Sequence, residues 1–423
     1  MIKKPRGTED ILPSDSPLWR KIEQTAHEVC KKYGFKEIRT PVFEDTALFR
    51  RGVGDTTDVV QKEMYTFEDM GGRSISLRPE GTASLARSFI ENSLYANPQP
   101  TKLYYLITAY RYEKPQSGRL REFHQFGVEC FGGTSDATDA EMITLALDFF
   151  KALNVKGLKL NINSIGCPKC KKPYNEKLKN YFEQYRDELC DTCKNRLEKN
   201  PMRIIDCKSE ICSGIAKNAP KMIDNLCDEC KEHFEKTTAY LDSVGVEYTI
   251  NPDIVRGLDY YTRTVFEITS DSLGAQSTVC GGGRYNGLVE ELGGKPTEGI
   301  GFAIGLERLI MVMKAQGADK DFVEEADGAP DIFVVSIGDK ADLKAQKLVY
   351  ELRQSGICAE RDLCGRSVKA QMKFANKLGA EYSIVLGDDE INENKAALKN
   401  MQTGELTDVS LSADEIAAKI KTV

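Results

Sequence analysis

Apolar and polar positions divide the chain into a front part of separated strands and a back part in which strands and helices alternate. Leu18, Ile22, Ala26 and Val29 recur at helical spacing over residues 16–33. Asp15 or Ser16 can cap that helix, Pro17 sits near its first turn and Gly34 stops it. A strand-like run from Phe35 to Phe43 follows, with Pro41 marking a bulge or an edge. Further strand-like segments are Ser74–Leu77, Leu103–Tyr112, Phe123–Phe131, Val255–Ile268 and Gly299–Ile304. Long, variable connections separate them, which predicts an α+β fold, an antiparallel sheet with helices on one face, rather than repeated βαβ units. Beyond Pro330 the rhythm changes. Asp331–Gly338 is a near-continuous apolar strand, residues 340–355 read as a helix, Cys358–Arg361 as a strand, Ser367–Leu378 as a helix and Tyr382–Gly387 as a strand. This alternation predicts a small α/β domain with a largely parallel sheet.

Composition refines the division. A chain of 423 residues exceeds one ordinary core, so two or three domains are expected. Residues 167–235 are rich in Cys, Lys and Glu and helical in pattern, and Gly317–Pro330, with Glu324, Glu325 and Asp327, reads as a linker. The expected domains are therefore residues 1–325, interrupted by a mainly helical insertion at 167–240, and residues 330–423. With 41% hydrophobic and 29% charged residues the chain reads as soluble and globular. No run has the length of a membrane span, and no apolar stretch follows the N-terminal charges, so a cytoplasmic location without a membrane partner is expected. The net charge of −7 leaves nucleic-acid binding to local basic surfaces.

Of 13 cysteines, eight fall in the insertion, as Cys167-x2-Cys170, Cys190-x2-Cys193, Cys207-x4-Cys212 and Cys227-x2-Cys230, with His233 three residues further. The spacing permits structural zinc, in two tetrahedral sites. The alternative is thiols packed as small hydrophobes between helices. No residue is assigned as a catalytic metal ligand.

Five blocks carry candidate chemistry. Leu77-Arg-Pro-Glu-Gly-Thr-Ala83 places a carboxylate, Glu80, beside Gly81 and Thr82, suited to holding an amine, though by itself such a block is more often just a turn. In Tyr110–Cys130 two strand-like halves flank a loop bearing Lys114, Arg119 and Arg121; Arg111 lies on the first half, and Phe123, Gln125, Gly127 and Glu129 share one face of the second. Polar residues on one face of an apolar strand are costly unless water or a ligand meets them. Val255-Arg-Gly-Leu-Asp-Tyr-Tyr-Thr-Arg-Thr-Val-Phe-Glu267 is good strand material, yet it sets Arg256, a natural phosphate ligand, beside Gly257 and Asp259. Cys280-Gly-Gly-Gly-Arg-Tyr-Asn-Gly-Leu288 matches neither a P-loop nor a dinucleotide fingerprint and reads only as a chain turning tightly against something. Gly299–Leu309 leads small residues from a strand into a helix bearing Arg308.

In this order the blocks resemble the class II aminoacyl-tRNA synthetases and, among them, the histidyl-tRNA synthetase family of bacterial type. Gly34–Pro41 resembles motif 1, which forms the dimer; Arg111–Glu129 resembles motif 2, and Gly299–Leu309 motif 3. Arg256–Tyr261 and Gly281–Tyr285 are similar to segments peculiar to the histidyl enzymes. The resemblance implies a class II antiparallel sheet with flanking helices, a helical insertion and a C-terminal α/β anticodon-binding domain. It implies a homodimer that uses ATP with Mg2+, L-histidine and tRNA(His). Arg111 and Arg256 would be catalytic; Arg111, Glu113, Phe123 and Arg308 would bind ATP; Glu80, Gly81, Thr82, Gln125, Glu129, Tyr260 and Tyr261 would bind histidine. Arg119 and Arg121, with Arg366, Lys369, Lys373 and Lys377 along one face of the helix at 367–378, would meet tRNA; a solvated helix face is the alternative for the latter four. Two rival readings are a non-catalytic regulatory paralogue of histidine biosynthesis and a synthetase for another amino acid.

Overall fold

Alternation along the strand Glu122–Phe131 sets the plan of the front part: Phe126 and Val128 enter the core, while Gln125, Gly127 and Glu129 face the other way. In this computed structural model residues 1–54, 57–273, 277–320 and 328–421 are described, and the chain divides into two units, Met1–Phe322 and Val323–Val423. The acidic residues of the expected linker, Glu324, Glu325 and Asp327, lie outside the described residues.

The first unit is built on eight strands in the order Lys36–Glu37, Thr101–Tyr110, Glu122–Phe131, Gly299–Gly305, Thr278–Arg284, Thr262–Ser270, Leu158–Ser164 and Thr249–Ile250. The six long central strands pair antiparallel, and the two short edge strands join them in parallel. Helices Ser16–Lys32, Ala137–Ala152 and Leu306–Gln316 bury their apolar stripes against one face of this sheet, where Phe126 meets Phe149 and Phe302 at ring separations of 4.7 and 6.0 Å. The opposite face is left for the site. Helices Pro168–Glu183, Asp191–Lys199, Glu210–Lys217 and Asp228–Ser243 follow the strand Leu158–Ser164, and the first three share a separate apolar core with the start of the fourth.

Four local expectations are corrected. The run from Phe35 to Phe43 is not one strand: Lys36–Glu37 and Phe43–Asp45 belong to different sheets, and the Thr40 and Pro41 carbonyls between them accept from the Arg78 guanidinium. The predicted strand from Val255 begins only at Thr262, because residues 256–261 cross the sheet face. Cys280-Gly-Gly-Gly lies in a central strand, Thr278–Arg284, and not in a tight turn. Neither Asp15 nor Ser16 caps the first helix by its side chain; Asp15 pairs with Lys314, and the Ser16 hydroxyl donates to the Pro13 carbonyl.

The second unit has five strands in the order Ala359–Arg361, Ile332–Ser336, Tyr382–Leu386, Lys395–Asn400 and Leu406–Ser410. The first three are parallel; the last two, unforeseen in the sequence, add an antiparallel hairpin. Among the described residues no helix is long and apolar enough to cross a membrane.

Candidate active site

Three adjacent strands meet the free face of the sheet with the smallest side chains available. Gly127 pairs with Ala303, and Ala303 pairs with Gly281, so a shallow trough crosses the sheet. Each small residue makes room for a large one. A Cβ on Gly127 would stand 2.1 Å from the Tyr105 ring and one on Gly81 2.4 Å from the same ring. A Cβ on Gly281 would stand 2.3 Å from the Arg256 guanidinium, and one on Gly301 only 1.7 Å from the Glu129 carboxylate. The glycines of four of the blocks are thus spaces for a ring, a base and an acid.

Above the trough lies a cavity of about 260 Å³, close to the lower end of the range for small-molecule sites. One end is cationic. Arg111, Arg119, Arg308 and Arg256 all line it, with Glu113 among them. Arg111 donates to the Pro79 carbonyl at 2.9 Å and lies 5.4 Å from the Phe123 ring; Arg119 binds Glu113 at 3.0 Å. Arg256 reaches Glu267 at 2.5 Å and stands 5.4 Å from the Tyr261 ring. Burial, joined by the neighbouring Arg119, lowers the pKa of Arg308 in spite of the nearby Glu113 and Glu267 carboxylates.

The other end is acidic and aromatic. Glu80 caps the helix Thr82–Glu91, accepting from the Thr82 and Ala83 amides at 2.7 and 2.8 Å, yet burial still raises its pKa. The Thr82 hydroxyl donates to Glu129 at 2.6 Å, and the Tyr285 hydroxyl donates to the other carboxylate oxygen at 2.5 Å. Tyr260 and Tyr261 pack together at 4.7 Å, with Tyr285 5.6 Å from Tyr260. Burial pushes Glu129 up to about 8 although both hydroxyls favour its charged form. Two buried polar atoms at the cavity, Gln125 Oε1 and Arg256 Nε, have no protein partner. Such atoms are costly unless a ligand or water meets them.

Eleven of the residues singled out from the sequence line this one cavity: Glu80, Thr82, Arg111, Glu113, Arg119, Phe123, Gln125, Arg256, Tyr260, Tyr261 and Arg308. Others stand elsewhere. Gly81 forms the wall behind Tyr105, and Glu129 lies one layer beneath the cavity, 1% exposed, with its oxygens taken up by hydroxyls. Arg121 stacks on Tyr112 at 3.9 Å, in a separate groove with Arg6 and Lys114. Arg366, Lys369, Lys373 and Lys377 belong to the second unit; Arg366 pairs with Asp362 at 2.5 Å and covers Phe374, while the three lysines are exposed. His233 does not join the cysteines: its ring meets Asp136 at 2.5 Å and Asp139 at 3.1 Å. Sequence reasoning passed over Tyr105, Tyr285 and Glu267. Tyr285 and Glu267 stood in quoted blocks without a role, whereas nothing local marks Tyr105, which takes its role from the strand beside it.

The cysteines gather into two sets able to hold a metal: Cys167, Cys170, Cys227 and Cys230, and Cys190, Cys193, Cys207 and Cys212. Within each set all four sulfurs lie within 4.8 Å of one another.

Comparison with known proteins follows the same lines. The family described as Histidyl-tRNA synthetase matches residues 7–169 and 207–309, and the family described as Anticodon binding domain matches residues 331–422. The gap in the first match, 170–206, lies inside the cysteine-rich insertion. A histidine–tRNA ligase of Acetivibrio thermocellus is 59% identical over 421 residues, covering 100% of both chains. One of Thermoanaerobacter pseudethanolicus is 54% identical over 423 residues, again covering both chains fully. Among solved structures, apo histidyl-tRNA synthetase of S. aureus is 44% identical with a TM-score of 0.82, covering 100% of this chain and 99% of that one.

Proposed function

The chain belongs to the histidyl-tRNA synthetase family, and from that premise we infer the reaction and the part each side chain takes in it. It is an aminoacyl-tRNA ligase: it activates L-histidine with ATP to histidyl-adenylate, releasing diphosphate, and transfers the histidine to tRNA(His). The non-catalytic regulatory alternative is not favoured, since ligases match this chain at high identity over its full length.

ATP enters as its magnesium complex at the cationic end. A histidine carboxylate oxygen attacks the α-phosphorus in line, the bond to diphosphate breaks, and negative charge builds on the phosphoryl oxygens. Arg111 and Arg256 stand ready for that charge, so the chemistry is positioning and electrostatic stabilisation without a side-chain nucleophile. Phe123 stacks on the adenine, Glu113 takes its amino group and Arg308 the far phosphate. Glu80, Thr82 and Gln125 hold the histidine ammonium, for which the unpartnered Gln125 Oε1 is a waiting acceptor. Tyr261 and Glu129 take the imidazole nitrogens with Tyr260 lining the pocket; Glu129 exchanges its bond from Thr82 for one from the ligand. An amino acid without those nitrogens would leave buried polar groups unpaired, a penalty worth roughly 10⁴–10⁵ in the best cases.

For the macromolecular partner, the loop bearing Arg119 and Arg121 receives the acceptor end of the tRNA, and the 331–422 domain with Lys369, Lys373 and Lys377 receives the anticodon arm. The enzyme acts as a cytoplasmic homodimer joined through the Gly34–Pro41 region, and the cysteine sets hold structural zinc. The observation that carries the reading is Arg256, laid over Gly281 into the cavity that Arg111 and Arg308 also line. ATP–diphosphate exchange with each of the twenty amino acids tests it. Exchange with histidine alone is expected; exchange with another amino acid, or with none, overturns it.

A further inference from the structure

The segment 256–261, which carries Arg256, lies outside the strands of the sheet. Much of its support comes from the insertion. The Arg203 guanidinium donates to the Arg256 carbonyl at 2.9 Å, Asn200 donates to the Asp259 carboxylate at 3.2 Å, and the Lys171 ammonium donates to the Tyr261 carbonyl at 2.5 Å. Three side chains of one insertion therefore hold three successive points of the catalytic segment.

Those three side chains stand within or beside the cysteine sets. Lys171 follows Cys170 directly, and Asn200 and Arg203 lie between Cys193 and Cys207. Neither set is a disulfide framework, because every cysteine is free. The sulfurs instead lie at ion-sharing distances: Cys167–Cys170 at 3.8 Å, Cys167–Cys227 at 3.9 Å and Cys190–Cys207 at 3.9 Å. Four thiolates about 2.3 Å from a tetrahedral zinc lie about 3.8 Å apart. Backbone amides already point at two of the sulfurs, Cys227 N to Cys170 Sγ at 3.1 Å and Cys190 N to Cys212 Sγ at 3.3 Å. Thiols packed only as small hydrophobes have no reason to converge four at a time and receive amide donors. The first set ties the start of the helix Pro168–Glu183 to that of Asp228–Ser243, and so closes the two ends of the insertion on each other. The second closes the stretch from which Asn200 and Arg203 project.

We propose that each cysteine set binds one zinc ion and that the two ions, by fixing Lys171, Asn200 and Arg203, make the insertion a brace that positions Arg256. This rests on the structural zinc assigned above and adds to it which four cysteines share each ion and a consequence for catalysis. Arg203 is then a positioning residue, acting through the Arg256 backbone.

The test uses the full chain. Elemental analysis of purified protein should find two equivalents of zinc, and the cobalt-substituted protein should show the charge-transfer bands of tetrahedral tetrathiolate sites. Titration of the unmutated protein with a mercurial, zinc release being read by a chelating dye, gives the same count without requiring a cysteine variant to fold. Arg203→Ala should keep both equivalents and lower kcat of histidine-dependent exchange about tenfold or more, with KM for ATP little changed, as a displaced catalytic group predicts. Arg203→Lys, which can still donate to the carbonyl, should recover part of that loss. Less than half an equivalent of zinc overturns the zinc reading and the brace together, and a single equivalent overturns the two-site assignment. Two equivalents with exchange in Arg203→Ala within twofold of the unmutated enzyme leave the zinc standing and overturn the brace. Absence of histidine-dependent exchange in the unmutated enzyme would instead strike the ligase reading, whatever the metal count.

Discussion

Replacing Gly281 with alanine separates catalysis from folding. The new Cβ would lie 2.3 Å from Arg256 Nη2 and 2.8 Å from its Cζ, whereas ordinary contact begins near 3.4 Å, so the guanidinium must withdraw by about 1 Å. It has somewhere to go, being the end of a flexible side chain, and the strand Thr278–Arg284 need not move. The fold should therefore lose no more than about 1 kcal/mol, since alanine also removes some of glycine's unfolded-state entropy. The reaction has no such latitude. A misplacement of about 1 Å in a charge-stabilising group costs roughly 10²-fold, or about 2.7 kcal/mol of transition-state stabilisation. The assay is histidine-dependent ATP–diphosphate exchange beside urea unfolding. Gly281→Ala should lose about 10²-fold in kcat/KM, and adding Arg256→Ala should cost little more, because both changes remove the same interaction. Gly283→Ala is the contrasting control: its Cβ would stand 2.5 Å from the Thr264 carbonyl oxygen, which is backbone, so stability falls first. Exchange in Gly281→Ala within threefold of the unmutated enzyme would refute the reasoning, for Arg256 would then not act from above Gly281.

Three further outcomes follow from the same structure. Arg284 is fully buried, holding Asp139 and Glu298 at 2.7 Å and the Gly133 and Ser135 carbonyls; Arg284→Met leaves these acceptors uncompensated and should cost about 3–5 kcal/mol in urea unfolding, a loss under 1 kcal/mol contradicting it. Burial raises Glu129 from an ordinary carboxyl value to about 8, so the folded state holds its proton longer than the unfolded chain does; the stability this contributes is present at low pH and is lost as pH rises through 8. Glu129→Gln cannot ionise, so its Tm should gain on that of the unmutated protein between pH 6 and pH 9, and a constant difference would show that Glu129 is ionised throughout. Replacing the exposed Lys369, Lys373 and Lys377 together by glutamate should lower tRNA charging at least tenfold, flatten its salt dependence and leave diphosphate exchange unchanged; equal loss in both assays would place these lysines outside tRNA binding.

Much of this could be read along the chain, because local patterns follow local physics. Period two in Phe123–Phe131 separated a core face from a polar face, and Leu18, Ile22, Ala26 and Val29 announced a helix whose stripe is buried. The cysteine spacing and the charged blocks were likewise legible, since each lies within a few residues of itself. What tertiary structure alone decided are relations between segments far apart in sequence. Gly281 looked like a turn because nothing in Cys280-Gly-Gly-Gly tells that Arg256 will lie across it, and a strand shorn of side chains carries no strand signal. Residues 256–261 looked like a strand because Tyr and Thr suit one; only the insertion's hydrogen bonds show why they leave the sheet. Glu129 seemed ready to meet a ligand until Thr82 and Tyr285, 47 and 156 positions away, were seen to claim its oxygens. Which cysteine pairs share a site was equally closed to inspection, because folding joins the first pair to the last and the second to the third. Spacing constrains what a segment prefers; packing against distant neighbours determines which of its groups are buried, satisfied or left waiting for substrate.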